Sequence, residues 1–249
     1  MTLGGAGVCV GLSTARTAAT VSRMFAGVPL LAPAALMNGA CVYDVGGARY
    51  VSAEVIPAAA QEALFAAVSG MCAFAYTVEG GALSTFYERD DAPHARKFRK
   101  EREEKYGKVF TKVGSLSELV GRGVVYLSLA GKEEATRPVR DALAAVGGLN
   151  VHFYRDIYER DFFYLEACAA GVSKKTAAGR IRELTGADRL VGFGDNLNDL
   201  SLFEACDERV AVANASDEVK RAADLVIGAN AEDAVVKFIM EREGVRFGC

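Results

Sequence analysis

Oxygen-bearing side chains crowd into the run Val191-Gly-Phe-Gly-Asp-Asn-Leu-Asn-Asp199, where Asp195 and Asp199 flank Asn196 and Asn198 directly after an apolar strand. Donors of this kind suit a hard cation such as Mg²⁺, and ligands of open α/β sheets gather at the carboxyl ends of strands. The same residues also suit an Asx-rich turn capping the helix that begins near Asn198. A dinucleotide fingerprint is excluded: no third glycine follows Gly192 and Gly194, and Asp195 would set negative charge against a pyrophosphate.

A second candidate is Gly171-Val-Ser-Lys-Lys-Thr176, in which Ser173 caps a helix carrying Lys174 and Lys175 in its first turn. Cations there oppose the positive end of the helix dipole, by about a few tenths of a kcal/mol each. The placement becomes favourable where a phosphate sits at that end; otherwise both are solvated surface lysines. Ser13-Thr14-Ala15-Arg16 closes the apolar run from Val8 and offers a hydroxyl and backbone N–H groups, either as an ordinary N-cap or to hold an anion. Asn38-Gly39 is a turn dipeptide that also stands where a ligand contact would lie.

The elements that carry these residues are legible from hydrophobic period. Val8 to Ser13 reads as a strand, Thr17 to Phe25 as a helix, and Pro29 to Asp44 as a buried strand followed by a hairpin around Gly46 and Gly47. After Pro57 come a helix, two strands joined by Glu79-Gly80-Gly81, a charged stretch, the strand Val124 to Leu129, a helix from Thr136 to Val146, and two further strands. This order is not the alternation of a parallel sheet, so residues 54–163 are expected to form an inserted α+β domain. The last third alternates helix and strand regularly, as a doubly wound α/β fold does. The fold class expected is α/β, a Rossmann-like core of residues 1–53 and 164–249 with the α+β insert as a cap.

Composition narrows the function. The 249 residues are 51% hydrophobic and 24% charged with a net charge of -3, which excludes a disordered chain and gives no basic excess for nucleic acid. The six cysteines form no C-x-x-C pair and read as reduced core residues, and two histidines, His94 and His152, make a histidine-rich zinc site unfavourable. The uncharged stretch Met24 to Tyr43 is interrupted by Pro29, Pro33 and Asn38, so no membrane span is expected, and the N-terminus lacks a basic n-region. A cytoplasmic protein is the expectation. The stretch His94 to Lys108 interleaves Glu101, Glu103 and Glu104 with its basic residues, which favours a solvated helix face over a nucleic-acid surface.

Together the segments LSTAR, MNGA, GVSKKTA, GDNLND and VANASDEVKRAADLV resemble the motifs of the haloacid dehalogenase superfamily, and more narrowly its Cof-type phosphatases with a large cap between the second and third motifs. The resemblance covers both core pieces; the cap matches in size and pattern. It implies that Thr14 and the N–H of Ala15 contact a transferring phosphoryl group and that Lys174 neutralises it. It implies further that Asp195 ligates Mg²⁺ with Asn198 and Asp199 in support, and that Asn38 lies near the substrate. Ala15 stands where the family has glycine.

The family's first motif, an apolar strand ending in D-x-D that supplies the nucleophile, has no counterpart in this sequence. The resemblance places that strand between the Val8 and Leu190 strands. The expectation is therefore that these two pair directly or that a partner fills the gap, with exposed edges inviting self-association. Two functions follow: a Mg²⁺-dependent phosphatase of small phosphorylated metabolites, working through an aspartyl-phosphate, or a non-catalytic phosphometabolite-binding or interaction protein derived from that fold.

Overall fold

A computed structural model describes residues 7–156, 159 and 161–244. In chain order the first elements are α1 (Ala18–Met24), β1 (Ala34–Leu36), β2 (Cys41–Asp44), β3 (Arg49–Ala53), α2 (Ala58–Ala67), β4 (Ala73–Glu79), β5 (Ala82–Tyr87), α3 (Pro93–Tyr106) and β6 (Phe110–Lys112). Then come β7 (Val124–Lys132), α4 (Glu133–Ala144), β8 (Leu149–Arg155), β9 (Phe162–Ala169), α5 (Lys174–Thr185) and β10 (Val191–Gly194). The chain closes with α6 (Leu200–Phe203), β11 (Glu208–Val212), α7 (Asp217–Ala222), β12 (Leu225–Ile227) and α8 (Ala234–Arg242). It divides into two units: Met1–Arg16, Gly27–Ala48 and Ser173–Cys249 form one; Thr17–Ala26 and Arg49–Val172 form the other.

In the first unit, β10, β11 and β12 form a parallel sheet in that order, the arrangement expected of regular helix-strand alternation. Phe203 of α6 and Val219 of α7 pack on Ala211 and Val212 of β11. β1 is wholly buried and pairs antiparallel with β2 across the tight turn Met37–Gly39. The expected Val8 strand does not form. Its last residue, Ser13, makes a single parallel bridge to Ala35, with Ala35 N–H donating to Leu12 O at 2.7 Å and Thr14 N–H to Ala35 O at 2.9 Å.

The expected direct pairing of this segment with the Leu190 strand is also absent, since among the described residues β10 pairs with β11 alone. α5 packs against β1, the 37–39 turn and α6. Helix packing and side chains, rather than a hydrogen-bonded ladder, join the two pieces of sheet.

The second unit is built on a six-stranded sheet of order β6-β5-β4-β7-β9-β8, in which β5 and β6 run parallel and every other pair is antiparallel. Alternate residues of a strand face opposite sides. One face carries Ala73, Ala75, Leu127, Leu129, Leu165 and Ala167 and forms a continuous core with Leu64 and Phe65 of α2 and Val139 and Leu143 of α4. The opposite face carries Tyr76, Tyr126, Ser128 and Glu166, all buried. Three boundaries differ from the sequence reading. β3 groups with this unit, so the insert begins at 49 rather than 54. β9 pairs along its length with β7 and β8, so the insert runs to Val172 rather than 163. α1 groups with this unit because it packs on α3. Arg99 of α3 makes the i,i+4 pair with Glu103 that the charge pattern suggested.

One buried amide fastens the entry into α2. Gln61 is 1% exposed, its Nε2 donates to Ile56 O (2.7 Å) and Arg122 O (3.1 Å), and its Oε1 accepts from Gly121 N–H (2.9 Å). Gln61→Leu keeps the volume and strands those backbone groups, so unfolding stability should fall by about 1–3 kcal/mol. An unshifted urea midpoint would contradict this.

Candidate functional site

Ser173 opens α5 with a reciprocal cap: its Oγ accepts from Thr176 N–H at 3.1 Å, and Thr176 Oγ1 accepts from Ser173 N–H at 3.0 Å. The cap makes Lys174 the first helical residue, and Lys174 is 5% exposed. Its ammonium donates to Asp199 Oδ1 at 2.6 Å and to Ser13 O at 3.4 Å. A cation in a helix's first turn, withdrawn from water, needs a fixed counter-charge, and Asp199 supplies it. Lys175 turns away to an exposed pair with Glu204 at 3.0 Å.

Asp199 is delivered by the turn after β10. Asn196 caps that turn, as the Asx reading anticipated, and Asp199 Oδ2 accepts from the N–H groups of Asp195 (2.9 Å) and Asn196 (3.1 Å). Gly194 makes room for it: a Cβ there would stand 2.7 Å from Asp199 Cβ and 3.1 Å from the Phe203 ring.

The remaining sequence-derived residues join through backbone and amide contacts. Thr14 O accepts from Asn38 N–H at 3.1 Å, and Thr14 Oγ1 accepts from Arg16 N–H at 3.2 Å. The N–H of Ala15 has no hydrogen-bond partner among the described residues. Asn38 is buried in a left-handed conformation, with φ 55°, and its Oδ1 accepts from Asn198 Nδ2 at 3.4 Å. Next to it, Gly39 has φ +102°, and a Cβ there would lie 2.2 Å from Ser173 O, so glycine is what lets this turn meet the start of α5.

Thr14, Ala15, Asn38, Lys174, Asp195, Asn198 and Asp199 thus share one neighbourhood. Ser13 was missed as a contact: its carbonyl accepts from Lys174, and its Oγ is buried without a partner. A carbonyl contact leaves no mark in side-chain type, so no motif signals it.

The electrostatics separate the two aspartates. Partial withdrawal from water, and then repulsion from Asp199, hold the Asp195 carboxyl above the ordinary carboxylate range. Asp199 Oδ1 accepts from Lys174 and its Oδ2 from two N–H groups. Asp195, a carboxylate pressed against another carboxylate, is the group a divalent cation would relieve. Mg²⁺ keeps several waters and needs only one or two carboxylates, so this donor set fits it, although no cluster of three or more acidic, histidine or cysteine ligands occurs among the described residues.

The family model of haloacid dehalogenase-like hydrolases matches residues 2–239, and the chain belongs to that family. It is 30% identical over 131 residues to a 5-amino-6-(5-phospho-D-ribitylamino)uracil phosphatase of Bacillus subtilis, covering 52% of this chain and 48% of that protein. It is 48% identical over 52 residues to a pyridoxal phosphate phosphatase of Escherichia coli, covering 21% of this chain and 19% of that protein. The match therefore spans about half or less of these relatives. Among solved structures, a haloacid dehalogenase-like hydrolase from Bacteroides thetaiotaomicron shares the fold with a TM-score of 0.72 at 21% identity, over 95% of this chain and 87% of that one.

Gly194→Ala should displace Asp199 and loosen Lys174 although Gly194 carries no side chain to offer a ligand. The expected cost is about 1–3 kcal/mol of stability, as for overpacking elsewhere. A urea midpoint equal to that of the wild type would show that a Cβ at this position does not press on Asp199.

Proposed function

We propose that the chain carries the phosphate-binding part of a magnesium-dependent phosphatase acting on small phosphorylated metabolites. The buried Lys174 at the head of α5 carries this reading. Held between Asp199 and Ser13 O, its ammonium would meet a phosphoryl group together with the unpartnered Ala15 N–H and the Thr14 hydroxyl. Charge spread over the equatorial oxygens of a transferring phosphoryl group is stabilised by such fixed donors and cations. Asp195 would hold Mg²⁺, which when bound supplies further neutralisation of the phosphoryl oxygens. Asn198, through Asn38, fixes the rim of the site.

The relatives named as phosphatases of a ribitylaminouracil phosphate and of pyridoxal phosphate support the substrate class. The second unit is the cap in this reading and selects among such substrates. The five described cysteines are all unbridged, in keeping with a reducing cytoplasmic compartment. Among the described residues no helix is long and apolar enough to cross a membrane.

An aspartyl-phosphate route needs a carboxylate nucleophile, and the sequence contains no D-x-D to supply it. The second reading is a protein that binds phosphometabolites without turning them over. Two measurements decide. Calorimetry with inorganic phosphate and Mg²⁺ should show binding that falls at least about tenfold in Lys174→Ala, the loss of one charge-assisted contact. Release of phosphate from a small phosphate ester, abolished by Asp195→Asn, should mark the phosphatase. Binding without release would assign binding alone to these 249 residues, and equal affinity of wild type and Lys174→Ala would remove both.

A further inference from the structure

α3 is a helix of 14 residues in which Ala95 is the buried residue, so burial of an apolar stripe is not what seats it on the sheet. His94 and Phe98, one turn apart on one face, do so instead. Phe98 stacks on Phe74 of β4 with ring centres 5.1 Å apart, and His94 meets Phe162 of β9 edge-on at 4.9 Å. His94 Nε2 also lies 2.6 Å from Ala130 O of β7; a carbonyl only accepts, so this nitrogen carries the proton.

The strand register puts Phe74, Ser128, Ala130 and Phe162 on one face of the sheet. Phe74 lies opposite Ser128, and Phe162 lies opposite Lys132, two residues beyond Ala130. Ser128, Ala130 and, from the helix, Ala95 are small. Helix and sheet there leave a cavity of about 300 Å³, lined by these three residues and by the four rings. Packed interiors tolerate few voids wider than one water, and ligand sites begin near this size. Lys97 and Glu101 belong to the lining and are exposed, the Glu101 side chain at 50%, so the cavity opens to solvent along α3. All of these residues lie within the second unit.

Two polar groups of the lining have unused capacity. Tyr76 and Ser128 are buried and share one hydrogen bond, at 3.3 Å, and neither hydroxyl has another partner among the described residues. Two O–H groups with one bond between them leave one hydrogen unplaced. Ser128 lines the cavity, so Tyr76 donating to Ser128 and Ser128 donating into the cavity uses both. On the helix side, the Nε2–H of His94 leaves Nδ1 of the neutral imidazole as an acceptor, again without a partner among the described residues. Opposite charges share the rim. Lys97 and Arg102 stand with Glu101, Asp156 and Glu159, and the Arg102 guanidinium is met by Glu101 at 3.6 Å and by the Phe98 ring at 3.6 Å.

We propose that this cavity binds a small uncharged heteroaromatic ring of the purine class. The aromatic walls recognise its faces, the Ser128 hydroxyl a ring-nitrogen acceptor, and His94 Nδ1 an N–H donor. The mixed rim gives no field that favours a strongly charged ligand. No residue of the phosphate site takes part, so this inference and the proposed function stand or fall separately.

Adenine, which carries no phosphate, is titrated into the full chain and followed by calorimetry and by amide NMR shifts. Saturable binding is expected, with the shifts concentrated in α3, β7 and β9. Ser128→Ala should weaken it about threefold to tenfold, the range for one neutral hydrogen bond. Ala130→Leu fills the floor of the cavity and should abolish binding, while the unfolding midpoint stays at or above that of the wild type because the added side chain enters open space. Saturating inorganic phosphate should leave the adenine affinity unchanged.

The absence of saturable binding, or binding kept in both Ser128→Ala and Ala130→Leu, would overturn the proposal. Competition by phosphate would put adenine in the other site and overturn it equally. Tighter binding of benzoate or of phenyltrimethylammonium would assign the cavity to a charged ligand, against the class proposed.

Discussion

The Lys174–Asp199 contact is the interaction on which the first unit depends. Both side chains are almost fully withdrawn from water, at 6% and 8% exposure, and they meet at 2.6 Å. A buried pair is costly to assemble, and breaking it by removing one partner typically costs about 3–5 kcal/mol, because the other charge is left uncompensated. The pair is therefore better understood as a positioning device than as a source of stability. It holds a cation at a helix N-terminus, where a helix alone would reject it, and leaves the Ala15 amide and Thr14 hydroxyl beside it.

The same pair has an architectural role. The first unit holds two pieces of sheet, β1 with β2 and β10 with β11 and β12, that share no ladder among the described residues. Lys174 reaches Ser13 O beside one piece and Asp199 beyond the end of the other. α5 packs on β1 and β2 and against α6, which itself packs on β10, and Gly39 and Gly194 permit the close approaches on either side. Fold and site are thus one construction: side chains that would bind a phosphoryl group also bridge the pieces of the sheet. A loosened pair should loosen the unit.

Much of this was legible in the residues. The GFGDNLND run showed a strand stopping where carboxylates begin, and Lys174 showed itself as a cation at the wrong end of a helix. The periodicity separated the α+β insert from the alternating last third. Other features could not be read. The partner of Lys174 lies 25 residues away, and only the tertiary fold selects Asp199 over Asp195. The apolar run after Asp161 reads as a strand that continues the insert, and its pairing with β7 and β8 carries the insert past the expected boundary at 163. Val8 to Ser13 has strand composition, yet strand composition cannot supply a neighbour, and the segment keeps a single bridge. Lys108 reads as one more charge on a solvated helix face; its burial against the Tyr76 ring is set by the tertiary fold.

The most direct test of the account is a double-mutant cycle in unfolding free energy over Lys174→Met, Asp199→Asn and the pair together. A coupling of about 1 kcal/mol or more, with the double variant less destabilised than the two single losses summed, is the expected result. Additive losses would mean that the two side chains act independently, and that the buried pair neither sets the site nor joins the sheet.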